Sequence, residues 1–375
     1  MKAKIVVGLG WGDEGKGLTT DYLCRKSTNP IVVRFSGGQQ CGHNVVIGDK
    51  SHEHRSFGSG TLAGYPSYFS EHTCFYPPSI KKEYDILSYK GIFPELWIHP
   101  LAKMTTQYDI AYNRVRETSL RHGSCGLGVG ATFSRNADNY KIHAIDTMYP
   151  EILYKKMDTA KDYYLRKLVV EGYSHDEIER FKVISILEGQ EVMWALSSKK
   201  FYIRSYSILK QKDIIFEGSQ GILLDMDLGI FPNVTYANTT SKNAIAICKE
   251  LGVQPDIYYV TRCYQTRHGN GWMKESKPIQ LINNEKETNV TNEWQGAFRT
   301  AELDYNLLRY AMANDFVFSD GCNRHLVVTC LDQRPDFDFI DTSFLMIQSI
   351  TKSYSADSRE LYLSDHIRST AEVVK

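Results

Sequence analysis

Asp13, Glu14 and Lys16 stand inside a run of glycines, Gly8-Leu9-Gly10-Trp11-Gly12-Asp13-Glu14-Gly15-Lys16-Gly17. A lysine among glycines can neutralise a phosphate whose oxygens also meet backbone N–H groups at a helix N-terminus. A carboxylate in the same place suits a metal ion or a protonated atom of a bound molecule. Gly10-x-x-x-x-Gly15-Lys16 fits the first seven positions of the P-loop pattern, but the eighth, normally a Ser or Thr that holds magnesium, is Gly17. If the loop binds a nucleotide, the metal ligand comes from elsewhere, and Asp13 is the obvious candidate. Gly8-x-Gly10 could also open a dinucleotide fingerprint, yet the third glycine of that pattern falls on Asp13. A structural turn needs one or two glycines, whereas this stretch has five within ten residues.

Further polar groups sit where strands should end. Ile31–Phe35 runs into Ser36-Gly37-Gly38-Gln39-Gln40-Cys41-Gly42-His43. Ligands collect at the carboxyl ends of strands in open α/β sheets, so His43 is read as catalytic rather than as a turn residue. His52 and His54, two apart, can share one side of a strand and bind metal; a polar, half-exposed strand is the favoured reading. Gly123-Ser124-Cys125-Gly126-Leu127-Gly128-Val129-Gly130 is either a loop closing over a ligand or a flexible connector. Glu217-Gly218-Ser219-Gln220-Gly221 reads as a polar turn after a strand. The hydroxyls of Thr235 to Thr240 suit phosphate or simple helix capping. Asp332, past the strand His325–Cys330, could cap the next segment or accept from a guanine.

These residues need a scaffold that delivers strand ends to one place. The β-branched run Lys4–Val7 predicts a strand, and 18–26 a helix. Helices are expected from Pro77 to Gly91, over 105–120, over most of 148–200, over 241–251 and after Asp304. Short strands are expected at 97–99, 213–216 and 258–264. The alternation of strand, glycine loop and helix points to an α/β fold with a large, mostly parallel central sheet flanked by helices. The helical stretch 148–200 reads as a subdomain rather than an independent unit. Residues after 332 carry no clear motif.

The chain has 375 residues, with Lys+Arg 44 balancing Asp+Glu 44. That neutral balance gives no electrostatic footprint for nucleic acid. Eight cysteines are scattered with no C-x-x-C pair, so neither a zinc site nor a disulfide framework is indicated. No apolar run approaches membrane-spanning length, and no signal-peptide core precedes the first strand. The expected compartment is a reducing cytoplasm.

Taken together, Trp11–Gly17, Val33-Arg34-Phe35-Ser36-Gly37-Gly38 with Gly42-His43, Glu217–Asp227 and Asn238-Thr239-Thr240 resemble the adenylosuccinate synthetase family in order and spacing. The resemblance implies a single domain over 1–375 that joins IMP and L-aspartate, using GTP and magnesium, and works as a homodimer. It implies Asp13 as the base and a magnesium ligand, His43 as the acid facing the transferring phosphoryl group, and the Gly42 carbonyl as a second metal ligand. Lys16, with Gly12, Glu14, Gly15 and Gly17, would take the nucleoside triphosphate, and Gln220 the purine oxygen. Thr235, Gln40, Ser124 and Cys125 would lie at the purine nucleotide, Arg299 at aspartate, and Asp332 at guanine.

The departures fall on substrate reading. Leu127 and Cys125 replace an Arg and a Thr, Gln40 replaces an Asn, and Cys330 replaces the lysine beside Asp332. The arginine-rich aspartate loop aligns with Gln295-Gly296-Ala297-Phe298-Arg299-Thr300, which keeps one arginine. The arginine lent by a partner subunit aligns with Asn139, with Arg135 near it. Alternatives are a bacteriophage-type 2-aminoadenylosuccinate synthetase acting on dGMP, against which Asp13 argues, and a nucleotide-binding protein without ligase activity. A dinucleotide oxidoreductase rests on Gly8-x-Gly10 alone. ATP in place of GTP stays open.

Overall fold

The strand Ala3–Gly8 lies at the middle of a ten-stranded sheet, flanked by strands that arrive two hundred residues later. Asp213–Gly221 pairs with it on one side and Pro255–Arg262 on the other, both parallel. A strand hydrogen-bonded on both edges and covered on both faces must be apolar throughout. Ile5, Val6 and Val7 are fully buried. Ile5 and Val7 join the main core, while Val6 faces Leu18 and Leu23 of the helix Lys16–Arg25. Each such side chain contributes about 1.5–3 kcal/mol by leaving water. The computed structural model describes residues 2–120, 125–274, 279–282, 297–334, 336–337 and 347–364.

Beyond Asp213–Gly221 the sheet continues through Pro30–Arg34, Ser67–Phe69, Leu96–Ile98 and Tyr202–Ile203. Beyond Pro255–Arg262 it continues through Asn323–Thr329, Ser349–Ser353 and Leu361–Ser364. Every pairing is parallel except that of Leu361–Ser364, which runs antiparallel at the edge. The expected parallel sheet is therefore present. The region after residue 332, silent in sequence, supplies two of its strands.

Several local expectations change. Glu217–Gly221 is strand rather than turn, because Glu217 pairs with Val6 on one side and Arg34 on the other. The register shifts between Val6 and Gly8, and Gln220 takes a φ of 52° there. The strand expected over 258–264 breaks at Cys263: Pro255–Arg262 stays in the sheet, and Tyr264–His268 starts a separate antiparallel ribbon with Phe298–Glu302. His43 begins a strand, His43–Ile47, rather than sitting in the loop. Its hairpin partner, Lys50–His54, is not half-exposed at the histidines: His52 and His54 are 7% and 0% exposed, with Glu83 of the helix Pro77–Tyr89 against them.

The middle block forms two long helices, Pro150–Val170 and His175–Ser197, the second opened by a reciprocal Ser174–Glu177 capping box. They cover the helix Gln107–Leu120, whose Ala111, Tyr112 and Val115 join Tyr164, Leu168 and Phe181 in one cluster. No helix among the described residues is long and apolar enough to cross a membrane.

Candidate active site

The glycine loop is folded around Glu14. Its Oε1 accepts the Gly10 and Gly12 N–H groups at 3.0 and 2.8 Å, and Lys16 Nζ lies 2.5 Å from Oε2. A Cβ on Gly8 or Gly221 would strike this carboxylate, so glycines wall it in. Glu14 thus turns into the loop, satisfying amides that would otherwise be orphaned. Asp13 turns outward at a φ of 64°. Its carboxylate is 3.4 Å from His268 Nε2, while Arg262 Nε donates to the Asp13 carbonyl at 2.5 Å. The carboxylate keeps 27% exposure, yet the desolvation that the crowded loop imposes raises its pKa, against the pull of Arg262, His268 and Lys16. A carboxylate so placed is a better proton acceptor near neutrality than an exposed aspartate.

Gly17, the departure from the P-loop pattern, has a steric cause. A Cβ there would lie 2.8 Å from His43 Cβ and 3.0 Å from Ser59 Oγ. The helix start and the His43 strand touch across that glycine. His43 Nδ1 is 2.8 Å from Glu217 Oε1, and Ser59 donates to the same carboxylate through its hydroxyl and, at 3.2 Å, its amide. Arg34 Nε is 3.9 Å from Oε2. Although burial opposes ionisation, His43, Arg34 and Ser59 hold Glu217 down to about 2. Burial lowers the His43 pKa, outweighing Glu217. A carboxylate on Nδ1 fixes the ring's orientation and leaves Nε2 as the working atom.

Neighbouring loops close on this centre. Gln220 lies over Gly12, whose added Cβ would be 3.7 Å from its Cα, and its amide oxygen is buried without a partner. Gln40 packs at Gly37 with both amide atoms unpartnered, and Gln39 Nε2 donates to the Leu127 carbonyl at 2.9 Å, drawing in the second glycine loop. That loop is no mere connector: the helix Val129–Ala137 opens inside it, and Gly130 abuts the Tyr236 ring beside Thr235. Arg267 lies over the Trp11 ring at 5.1 Å and donates to the Asn233 carbonyl at 3.1 Å. Arg299 pairs with Arg267 across the ribbon and donates to the Gly269 and Gly271 carbonyls. Burial, then Arg299, brings the Arg267 pKa down to about 10. Both guanidiniums keep a buried Nε without a partner, which suits an anionic guest.

Asp332 follows the strand Asn323–Thr329, whose Thr329 hydroxyl donates to the Glu14 carbonyl at 2.7 Å. The structure thus draws Asp13, Lys16, His43 and Gln220 around the glycine loop, with Gly42 next to His43 in the chain and Gln40, Thr235, Arg299 and Asp332 on segments tied to it. Ser124 lies outside the described residues, and Cys125 is next to a cleft lined by Arg114, Leu127 and Arg180. Arg135 is not placed to reach a partner: it is fully buried and forks onto Asp109 at 2.8 and 3.0 Å. Sequence reasoning missed Glu217, His268, Arg262 and Arg267 as site residues. Glu217 was absorbed into an expected turn and Arg262 into the expected strand 258–264, while Arg267 and His268 just past that strand were charged groups at an expected strand end that carried no assignment.

A family model described as adenylosuccinate synthetase matches residues 5–348. The adenylosuccinate synthetase of Halothermothrix orenii is 32% identical over 284 residues, covering 72% of this chain and 64% of that protein. That of Coxiella burnetii is 31% identical over 294 residues, covering 75% and 65%. The chain therefore spans less than two thirds of the length of these curated relatives. Among solved structures, fully ligated adenylosuccinate synthetase from Plasmodium falciparum superposes with a TM-score of 0.64 at 20% identity, over 97% of this chain and 87% of that one. Cyanophage S-2L succinoaminodeoxyadenylate synthetase, bound to dGMP and to dATP as an energy donor, gives 0.65 at 15% identity, over 97% and 95%. At those identities the two structures speak for the fold.

Proposed function

This chain belongs to the adenylosuccinate synthetase family, and from that premise we propose that it is a carbon–nitrogen ligase joining IMP to L-aspartate with GTP as phosphoryl donor. The observation that carries this reading is the outward Asp13 carboxylate, raised in pKa by burial, beside a helix start where His43 is held by Glu217. Asp13 takes the proton from the ring nitrogen next to the six-oxo group, which puts charge on that oxygen. The oxygen attacks the γ-phosphoryl group, GDP leaves, and the aspartate amine then displaces phosphate from the purine. Gln220, whose amide oxygen has no partner, holds the purine edge. Burial lowers the His43 pKa, and the arriving phosphoryl anion favours uptake of a proton from solvent at Nε2, from which His43 donates to the phosphoryl oxygen. Lys16 exchanges Glu14 for the β/γ-phosphates.

Magnesium fits the donors here. The Asp13 carboxylate and the Gly42 carbonyl are hard oxygen ligands, and no loop amide claims Asp13 as amides claim Glu14. When bound, the ion supplies positive charge against the phosphate oxygens. Arg299, the one arginine left in its loop, and Arg267 opposite it on the ribbon are the groups on which we place aspartate's carboxylates.

A second reading, favoured by the replaced residues Cys125, Leu127 and Cys330, takes dGMP as the six-oxo nucleotide, with ATP or dATP as the donor. Phosphate release is the test, measured with magnesium and GTP or ATP, with IMP or dGMP, each with and without L-aspartate. Turnover that requires both IMP and aspartate supports the main reading. Turnover that requires dGMP supports the second. Nucleotide binding without either turnover would overturn both.

A further inference from the structure

His52, His54 and Glu83 place three ligand atoms within 4.8 Å of one another, all on buried residues. His52 Nε2 is 3.3 Å from Glu83 Oε1, and His54 Nδ1 is 3.6 Å from the same oxygen. Donor atoms at about 2.0–2.1 Å from a tetrahedral ion stand roughly 3.3 Å apart, which the two His–Glu83 separations already approach, while the rings, within 4.8 Å of each other, draw together onto the ion by side-chain rotation. The second observation is His54 itself. It is fully buried, and neither ring nitrogen has a hydrogen-bond partner. An unsatisfied buried polar atom costs about 1–3 kcal/mol. Nδ1 has only its long 3.6 Å approach to Glu83 and Nε2 has no hydrogen-bond partner, so the ring is open to a ligand.

The surroundings prepare the carboxylate. Glu83 Oε2 accepts the Arg55 and Ser56 N–H groups at 3.0 and 2.6 Å, which turns Oε1 toward both rings. Lys90 Nζ lies 3.2 Å from His52 Nδ1 and 2.7 Å from the Ser51 carbonyl. With an ion on Nε2, Nδ1 carries the proton and Lys90 keeps the Ser51 carbonyl alone. Two imidazoles and one carboxylate favour zinc, cobalt or nickel over magnesium.

We propose that His52, His54 and Glu83 bind one divalent transition-metal ion of the zinc class, with water as its fourth ligand. The ion ties the hairpin to the helix Pro77–Tyr89. Because His54 pairs directly with His43 across that hairpin, the ion also stiffens the strand that carries His43. The site is separate from the Asp13 and Gly42 oxygens and is independent of which purine is used.

The test uses the full chain without a histidine tag, stripped with chelator and titrated with Co²⁺ and then Zn²⁺ in excess magnesium. The expected result is uptake of one equivalent, visible d–d bands of tetrahedral cobalt that zinc abolishes, and a raised melting temperature. Both His54→Gln and Glu83→Gln lose the bands, while His175→Asn, an exposed histidine, keeps them. A folded wild-type chain that takes up no cobalt overturns the proposal and leaves a buried His–Glu–His network. So do bands that persist in both variants. If either variant fails to fold, the wild-type titration still decides.

Discussion

Asp13, in the glycine loop after one strand, and Glu217, inside the neighbouring strand, are two carboxylates whose acidities the fold drives in opposite directions. Burial raises Asp13, whereas His43, Arg34 and Ser59 overcome burial at Glu217 and hold it to about 2. Opposed shifts of this kind assign a proton acceptor and a permanently charged orienter. Asp13→Asn is expected to lower kcat by about 10²–10⁴-fold with the fold intact, checked by steady-state kinetics and circular dichroism. Glu217→Gln should cost activity through His43 and also change acid stability. A carboxylate whose folded pKa is depressed stabilises above its unfolded value, near 4.5, and loses that contribution as pH falls toward the folded value of about 2. The stability gap between wild type and Glu217→Gln should therefore narrow as pH drops below 4.5, from at most roughly 3 kcal/mol, in denaturant titrations. A gap independent of pH would remove the charge from the argument.

At the scale of elements, the glycines show which contacts are tight. Gly17→Ser would restore the usual P-loop residue, yet its Cβ would fall 2.8 Å from His43 Cβ. We expect it to destabilise by about 1–3 kcal/mol and to depress kcat, because the His43 strand must give way. Gly172→Ala, at a φ of 80° with nothing within 4 Å of an added Cβ, should cost about 1 kcal/mol of backbone strain and leave kcat unchanged. Denaturant midpoints and kinetics on the pair separate crowding from conformation. Equal effects of the two on kcat would mean that the helix start and the His43 strand are not coupled.

For the whole molecule, the helix His175–Ser197 carries Val183, Ile186, Leu187, Met193 and Trp194 exposed along one side. Apolar rows of that kind mark interaction surfaces. We propose that this row lies in the homodimer contact the family resemblance implies. Leu187→Glu should shift the chain toward monomer in sedimentation velocity without lowering the melting temperature of the monomer. A monomeric wild type would sink that assignment.

The sequence by itself determined the parts whose physics is local. Glycines at 8, 10, 12, 15 and 17 after a β-branched run mark a strand, a tight loop and a helix start, and the structure has all three. The family's motif spacing then pointed to Asp13, His43 and Gln220, and the parallel sheet followed from the strand-and-glycine rhythm. Only the tertiary structure decided what touches those groups. Glu217 looked like a turn residue because a buried strand carboxylate is unfavourable until His43, 174 residues away in sequence, sits against it. His52 and His54 looked half-exposed because alternation alone does not say what covers a strand, and Glu83 comes from a helix that packs there only in the folded chain. Gly17 looked like a lost metal ligand, and the fold made it the space into which His43 fits. Pairings between distant segments depend on the closed chain, so no window of sequence contains them.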